Sequence, residues 1–203
     1  MIDYIDEIIA ALYKVETRGS VIKTSNASED VYKVDEDCEK LSPEKANIFH
    51  NTVAKNIYTT KRVRPDTCTA VAFFTTRVRE PDKDGWGKLF RIMKYIGGKR
   101  DIPLILSAND SGSGFLKWWI DASYAEHPNI RGHTGGGMSM VRGFPIVTST
   151  KQKLNTLSST ESVIFGVYDC MLAVCWTRYF MEAHGYQVMV NILYQDNKSA
   201  ILL

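Results

Sequence analysis

FLKWWIDASY, residues 115–124, poses the question on which the fold turns. Its aromatic and aliphatic run is strongly β-prone, so 115–121 read as a strand. Asp121 closes that run. An ionised carboxylate is almost never fully buried unless it is paired or holds a metal. A strand that ends in one either surfaces there or builds a site.

Working outward, residues 103–108 read as a further strand. GGMSMVRGFPIVTST reads as a hairpin, with strands near 136–141 and 144–149 about a tight turn at Arg142-Gly143. A long helix follows from about Ser159 to His184, with Ile164, Tyr168, Leu172, Cys175 and Tyr179 expected to face inward, and Gly185 stops it. QVMVNILY is another strand, and DNKSAILL opens a helix expected to be capped by Asp196. The order is an antiparallel hairpin unit, a crossover helix, then a strand parallel to the first.

The first half differs in character. Residues 2–13 form an amphipathic helix, and 17–41 read as a polar, acidic linker. YIDE in that first helix superficially matches a polymerase Tyr-x-Asp-Asp signature. It lacks the second Asp and lies in a helical pattern, so the match is rejected. Ser42-Pro43 starts a helix whose apolar face is Ala46, Phe49, Val53 and Ile57. Asp66 is positioned to cap the next helix, to about Val78, and Pro81-Asp82 opens a third. The stripe of that third helix is Trp86, Leu89, Phe90, Met93 and Ile96, with Lys88, Arg91 and Lys94 opposite and Gly97-Gly98 at its end.

Charge is spread unevenly. Residues 1–40 hold five Lys/Arg against ten Asp/Glu, a balance of −5, and residues 41–100 hold thirteen against five, a balance of +8. The basic middle, and Lys88, Arg91 and Lys94 in particular, is a candidate phosphate-contacting surface; a solvated helical face is the plainer account. No continuous apolar run approaches the roughly 18 residues of a membrane span, and the start has no basic leader, so neither a membrane nor secretion is expected. The four cysteines contain no C-x-x-C pair and read as reduced thiols.

Three acids occupy unusual places. Asp121 ends the first strand of the hairpin unit, Glu161 lies in the first turn of the crossover helix, and Asp196 ends the next strand. Ligands of open α/β sheets bind beyond the carboxyl ends of strands. If the two strands pair in parallel, Asp121 and Asp196 end on neighbours. Clustered carboxylates attract hard cations such as magnesium, and two such ions can clamp a phosphodiester under cleavage. Each acid also has a plain structural use, as helix cap, dipole partner or solvent-facing strand end.

WWIDASYAEHPNIRGHTGG, STKQKLNTLSSTES and YQDNKSAILL resemble, in order and spacing, the ribonuclease H domain of copia-type retrotransposon polyproteins. FHNTVAKNIYTTKRVRPDTCTAVAFFTTRV and WGKLFRIMKYIGG resemble the connection segment between reverse transcriptase and that domain. The resemblance implies a thumb-like end over 1–41, a basic connection segment over 42–100, and a ribonuclease H-like mixed sheet with crossover helix over 101–203, incomplete at its C-terminus. The expected class is therefore α+β/α/β. The resemblance makes Asp121, Glu161 and Asp196 the ligands of two Mg2+ (or Mn2+) ions that cut the RNA strand of an RNA–DNA hybrid. Where the family often has a second Glu, Val163 stands here. Implied partners are the hybrid or other nucleic acid and the rest of the Pol polyprotein, in a cytoplasmic retroelement particle. A truncated domain is expected to be a poor enzyme alone. The alternatives are a non-catalytic nucleic-acid-binding segment or an inert remnant. His127 and His133 flank the site and fit loop roles better than phosphate contact; Trp118 and Trp119 read as core.

Overall fold

The computed structural model describes residues 1–15, 22, 33–106, 114–125, 131–139 and 145–203. The Arg142-Gly143 turn, His127 and most of the 17–41 linker lie outside them. The chain divides into two compact units, Met1–Pro103 and Leu104–Leu203.

The first unit is helical. α1 (Ile2–Tyr13), α2 (Pro43–Arg62), α3 (Cys68–Thr75) and α4 (Lys83–Gly98) surround one core. Ile5, Ile8 and Leu12 of α1 join Phe49, Val53, Phe74, Leu89, Met93 and Ile96 in it, so α1 packs with α2 and α4. The expected start signals at two helices act as caps. Ser42 Oγ accepts from the Lys45 amide at 3.4 Å, and Asp82 Oδ1 accepts from Gly85 N at 2.7 Å. Asp82 is buried, and the guanidinium of Arg77 compensates its charge at 2.6 Å.

Asp66 does not cap α3. A 3-10 turn over Pro65–Thr67 precedes that helix, which ends at Thr75, three residues short of the expectation. The Asp66 carboxylate instead accepts a two-pronged bond from buried Arg64, at 3.0 and 2.7 Å, and a third from Tyr95 Oη at 2.7 Å. A fork of charge-assisted bonds is worth more to a carboxylate than one amide. Burial alone would push this carboxyl up; the bonds from Arg64 and Tyr95 outweigh it and hold the group below the usual aspartate range.

The second unit is a four-stranded mixed sheet with one long helix. β1 (Phe115–Ala122), β2 (His133–Ser139), β3 (Ile146–Lys151) and β4 (Val190–Tyr194) are ordered β3-β2-β1-β4. β1–β2 and β2–β3 are antiparallel, and β1–β4 is parallel, as the crossover pattern requires. The hairpin strands are displaced from expectation: β2 begins at His133, and β3 runs to Lys151. Residues 103–106 are not a strand, and Ile105 and Leu106 are exposed. A β-prone run becomes a strand only when it finds a partner edge, and among the described residues this one has none.

α5 (Ser159–Ala183) crosses from β3 to β4, and its inward face is not the expected one. Ile164, Tyr168, Leu172 and Tyr179 are exposed, Leu172 at 83%, and Cys175 is exposed too. The buried residues are Ser162, Val163, Gly166, Cys170, Val174 and Thr177. α5 is apolar all round, so periodicity offers no contrast; what selects the inner face is size. Gly166 brings the helix so near that an added Cβ would stand 3.2 Å from Ala122 Cβ and 3.4 Å from Thr134 Cγ2. A leucine there would not fit. By length and mean composition α5 also passes for a membrane-spanning helix, although Asp169 and Arg178 interrupt its apolar run; here one of its faces is seated on the sheet. The last helix, α6 (Lys198–Ile201), is capped by Asn197, whose Oδ1 accepts from Ala200 N at 3.0 Å, and not by Asp196.

Asp66 links the first unit's stability to pH. Its depressed folded-state pKa means the contribution is complete above the unfolded value, roughly 3.9 for an aspartate, and is lost as pH falls through the folded one. Asp66→Asn is expected to lower the thermal midpoint by a few degrees at neutral pH. Thermal melts as a function of pH should show the gap to wild type constant above about pH 5 and closing below about pH 4; a gap independent of acidity would exclude the link.

Candidate carboxylate site at the sheet end

The carboxyl ends of β1 and β4 lie side by side because the strands are parallel. Their register pairs Trp118 with Leu193 and Trp119 with Tyr194. β4 ends at Tyr194, so Asp196 lies two residues past the strand, not at its end as expected. Gln195 secures the two chains just there, its Nε2 donating to Ile120 O at 2.8 Å. Sequence spacing alone does not pair the strands that precede residues 121 and 196; the ladder does.

Side-chain direction follows from the pleat. Leu116, Trp118 and Ile120 are buried, while Phe115, Trp119 and Asp121 are exposed. Trp118 and Leu193 pack with Val174 of α5, so Asp121 lies on the face turned away from the helix. On that face Trp119 stacks on Tyr194, ring centroids 5.0 Å apart. Trp118 is core, as expected, but Trp119 is 40% exposed and is not.

Glu161 occupies the first turn of α5, on the other side of the sheet end. Its amide donates to Ser158 Oγ at 3.2 Å, and its Oε2 accepts from Leu157 N at 2.6 Å. This is a close relative of the capping box, shifted by one residue. Asp121 Oδ1 accepts from the amide of Ala122 at 2.7 Å. No group of three or more His, Cys, Asp or Glu poised for a metal occurs among the described residues. The donor set is right for a hard cation, all oxygen and all carboxylate. Asp121 lies near the end of β1, Asp196 two residues past the end of β4, and Glu161 is engaged in its cap.

One group of residues at this end was not singled out by sequence. Gln152, just past β3, is buried, as are Thr134 and Ser162. Gln152 Nε2 donates to Thr134 Oγ1 at 3.1 Å and to Ser162 O at 2.8 Å. The Ser162 hydroxyl lies 2.9 Å from Gln152 Oε1 and 2.8 Å from Ser123 O, its one proton serving either. Gly132 closes the knot: a Cβ there would fall 1.9 Å from Ser123 O. Gln152 and Ser162 lie within STKQKLNTLSSTES, but nothing in that stretch by itself shows that they meet Thr134.

The three basic residues expected to meet phosphate are in the first unit, on α4. Lys88 Nζ is paired with Asp84 at 2.6 Å and donates to Lys33 O at 2.5 Å. Lys94 Nζ lies over the Phe90 ring, 4.5 Å from its centroid, and Arg91 is half-buried. Other cations of 41–100 meet acids of the N-terminal segment: Lys55 with Glu7, Lys83 with Glu39, Arg100 with Asp6. The local surplus is thus partly neutralised within the unit.

The chain is similar to stretches of two curated plant proteins. It is 25% identical over 169 residues to the retrovirus-related Pol polyprotein from transposon TNT 1-94 of Nicotiana tabacum, covering 81% of this chain and 12% of that protein. It is 28% identical over 142 residues to the retrovirus-related Pol polyprotein from transposon RE2 of Arabidopsis thaliana, covering 69% of this chain and 10% of that protein. The chain therefore spans about a tenth of the length of the curated relatives that it matches. This homology supports a stretch of retrotransposon Pol polyprotein. No family profile matches the chain, and no solved structure matches it.

The cap bond of Glu161 has a measurable consequence. Glu161→Ala removes the acceptor of Leu157 N and is expected to cost about 0.5–2 kcal/mol by urea unfolding, with Glu161→Gln, which keeps an acceptor, costing less. Equal stability of all three proteins would mean the bond is not formed in solution.

Proposed function

We propose, proceeding from the similarity to Pol polyproteins, that the second unit is a copia-type ribonuclease H-like segment acting on the RNA strand of an RNA–DNA hybrid. The observation that supports this reading is the parallel pairing of β1 with β4, through Trp119 with Tyr194, which sets the carboxyl ends of the two strands side by side, Asp121 and Asp196 each following two residues later. The mixed sheet with its crossover helix is compatible with it. The domain reading goes with it: a thumb-like end over 1–41, a connection segment over 42–100 and the ribonuclease H-like part over 101–203.

In this reading Asp121, Asp196 and Glu161 hold Mg2+ or Mn2+, with Glu161 exchanging its cap bond for the ion. Bound divalent metal supplies charge neutralisation at the attacking and leaving oxygens of a phosphodiester. The chain's own residues do the rest. The β1–β4 ladder sets the two strand ends side by side, and the Gln195 side chain keeps them from parting. The substrate would be recognised by hybrid shape and 2′-hydroxyls more than by base sequence.

A second reading, nucleic-acid binding without catalysis, is favoured by one observation: the Glu161 carboxylate is already satisfied by Leu157 N. Metal dependence separates the two. Incubation of the chain with a labelled RNA–DNA hybrid and Mg2+ or Mn2+ is expected to give RNA fragments only slowly, in keeping with a poor enzyme, and Asp121→Asn to abolish both them and the Mn2+-induced broadening of nearby resonances. Hybrid binding with no metal-dependent product from the wild-type chain would leave the second reading standing.

Under either reading α4 contacts phosphate through Lys94 more than through Lys88, whose charge Asp84 offsets. Replacing Lys94 with Ala should flatten the slope of log affinity against log salt by about one unit, for one lost phosphate contact. Lys88→Ala should change it by well under one. Anisotropy titrations with the hybrid between about 50 and 200 mM salt would reject this if Lys88→Ala had the largest effect.

A further inference from the structure

We infer that Gln152 is a positioning residue: its side-chain amide seats the first turn of α5, and with it Glu161, at the carboxyl end of the sheet. The inference deepens the reading of the carboxylate site given above and rests on it for its functional meaning. A neutral amide buried to 2% exposure costs stability unless both its ends are bonded. Here both are. The oxygen faces the Ser162 hydroxyl at 2.9 Å, and the nitrogen donates to the Ser162 carbonyl at 2.8 Å and to Thr134 Oγ1 at 3.1 Å.

Two of those three contacts grip one residue of α5, through its side chain and its backbone together. A single contact would fix the height of the helix above the sheet. A two-point grip also fixes rotation about the helix axis, because hydroxyl and carbonyl point in different directions. Ser162 adjoins Glu161, and in an α-helix one residue corresponds to about 100° of rotation. A small turn of the helix would therefore carry Glu161 from the sheet end. The third contact, to Thr134, refers the grip to β2, and the backbone amide of Gln152 donates to Gly132 O at 2.9 Å. The other side of Ser162 faces Ser123 O at 2.8 Å, two residues past Asp121. The segments carrying Asp121 and Glu161 are thus connected by Ser123, Ser162 and Gln152, without a contact between the two acids.

A packing role alone would be met by leucine or methionine at 152. The positioning role would not, and the two are separable. The full chain is compared with Gln152→Leu and with Val174→Ala, which truncates the same helix–sheet seam elsewhere. Three quantities are measured: thermal midpoint, Mn2+ dissociation constant by paramagnetic relaxation, and hydrogen exchange of the Ser162 amide, which donates to Ser158 O. Gln152→Leu is expected to weaken Mn2+ binding at least ten-fold and to speed Ser162 exchange at least ten-fold. Val174→Ala, at similar or greater loss of thermal midpoint, should leave both within two-fold of wild type. Equal effects of the two variants, or Mn2+ binding within two-fold of wild type in Gln152→Leu, would overturn the inference. If wild type itself binds no Mn2+, the metal-site reading fails, and the exchange comparison alone decides whether Gln152 seats the turn. Should Gln152→Leu not fold, Thr134→Val, which removes one of the amide's three contacts, must raise both quantities about three-fold; no change would count against the inference.

Discussion

Gly166 lets α5 settle onto β1 and β2 until backbone and Cβ atoms are in van der Waals contact, and most of the second unit follows from that approach. Gly136 repeats the condition from the sheet side, where an added Cβ would meet Cys170 Sγ at 2.9 Å. Close seating brings Ser162 within hydrogen-bond reach of Ser123 and Gln152, which excludes water from the seam and makes each buried polar group depend on the others. The chain then returns on the far side of β1, where β4 pairs in parallel. Larger residues on the inner face would lift the helix, open the polar knot and loosen the register beneath it.

The same seating leaves the large side chains of α5 outward. Tyr168, Leu172, Trp176 and Tyr179 are all more than 60% exposed, and Trp176 stacks on Phe180 at 5.1 Å between ring centroids. Exposed apolar area of this extent is uncommon on an isolated domain. It is consistent with a chain that matches only about a tenth of its polyprotein relatives.

The helical unit is organised by charge pairing as much as by its core. The acidic N-terminal residues and the basic stretch after residue 41, opposite in sign along the sequence, meet in space as Lys55–Glu7, Lys83–Glu39 and Arg100–Asp6. Exposed pairs of this kind contribute little stability each. Their effect is on the surface potential, which is weaker than the +8 of residues 41–100 suggests. The Arg64–Asp66–Tyr95 group is different: Arg64 is nearly fully buried, and leaving its guanidinium unpaired there would be costly.

By itself the sequence determined what is local. Ser42 and Asp82 start α2 and α4 because a short polar side chain before a helical stretch satisfies open amides wherever the helix sits. The alternation in FLKWWIDA gives a strand with one buried face, and the order of elements allows only a right-handed crossover and a parallel return. Asp121 near the end of β1 and Glu161 in the first turn of α5 were legible for the same reason; Asp196, expected to end β4, lies two residues past it. Tertiary structure decided the rest. Which face of an all-round apolar helix turns inward depends on how closely it can approach the sheet, and periodicity carries no record of that. Whether Asp66 caps a helix or holds Arg64 depends on a partner, Tyr95, twenty-nine residues away. The Gln152 knot draws on three strand ends and a helix, and Glu161 is committed to its cap by a geometry present only once Ser158 and Leu157 are in place. Propensity and capping act through neighbours in the chain; packing distance and buried polar bonds act through neighbours in space, which only the folded chain defines.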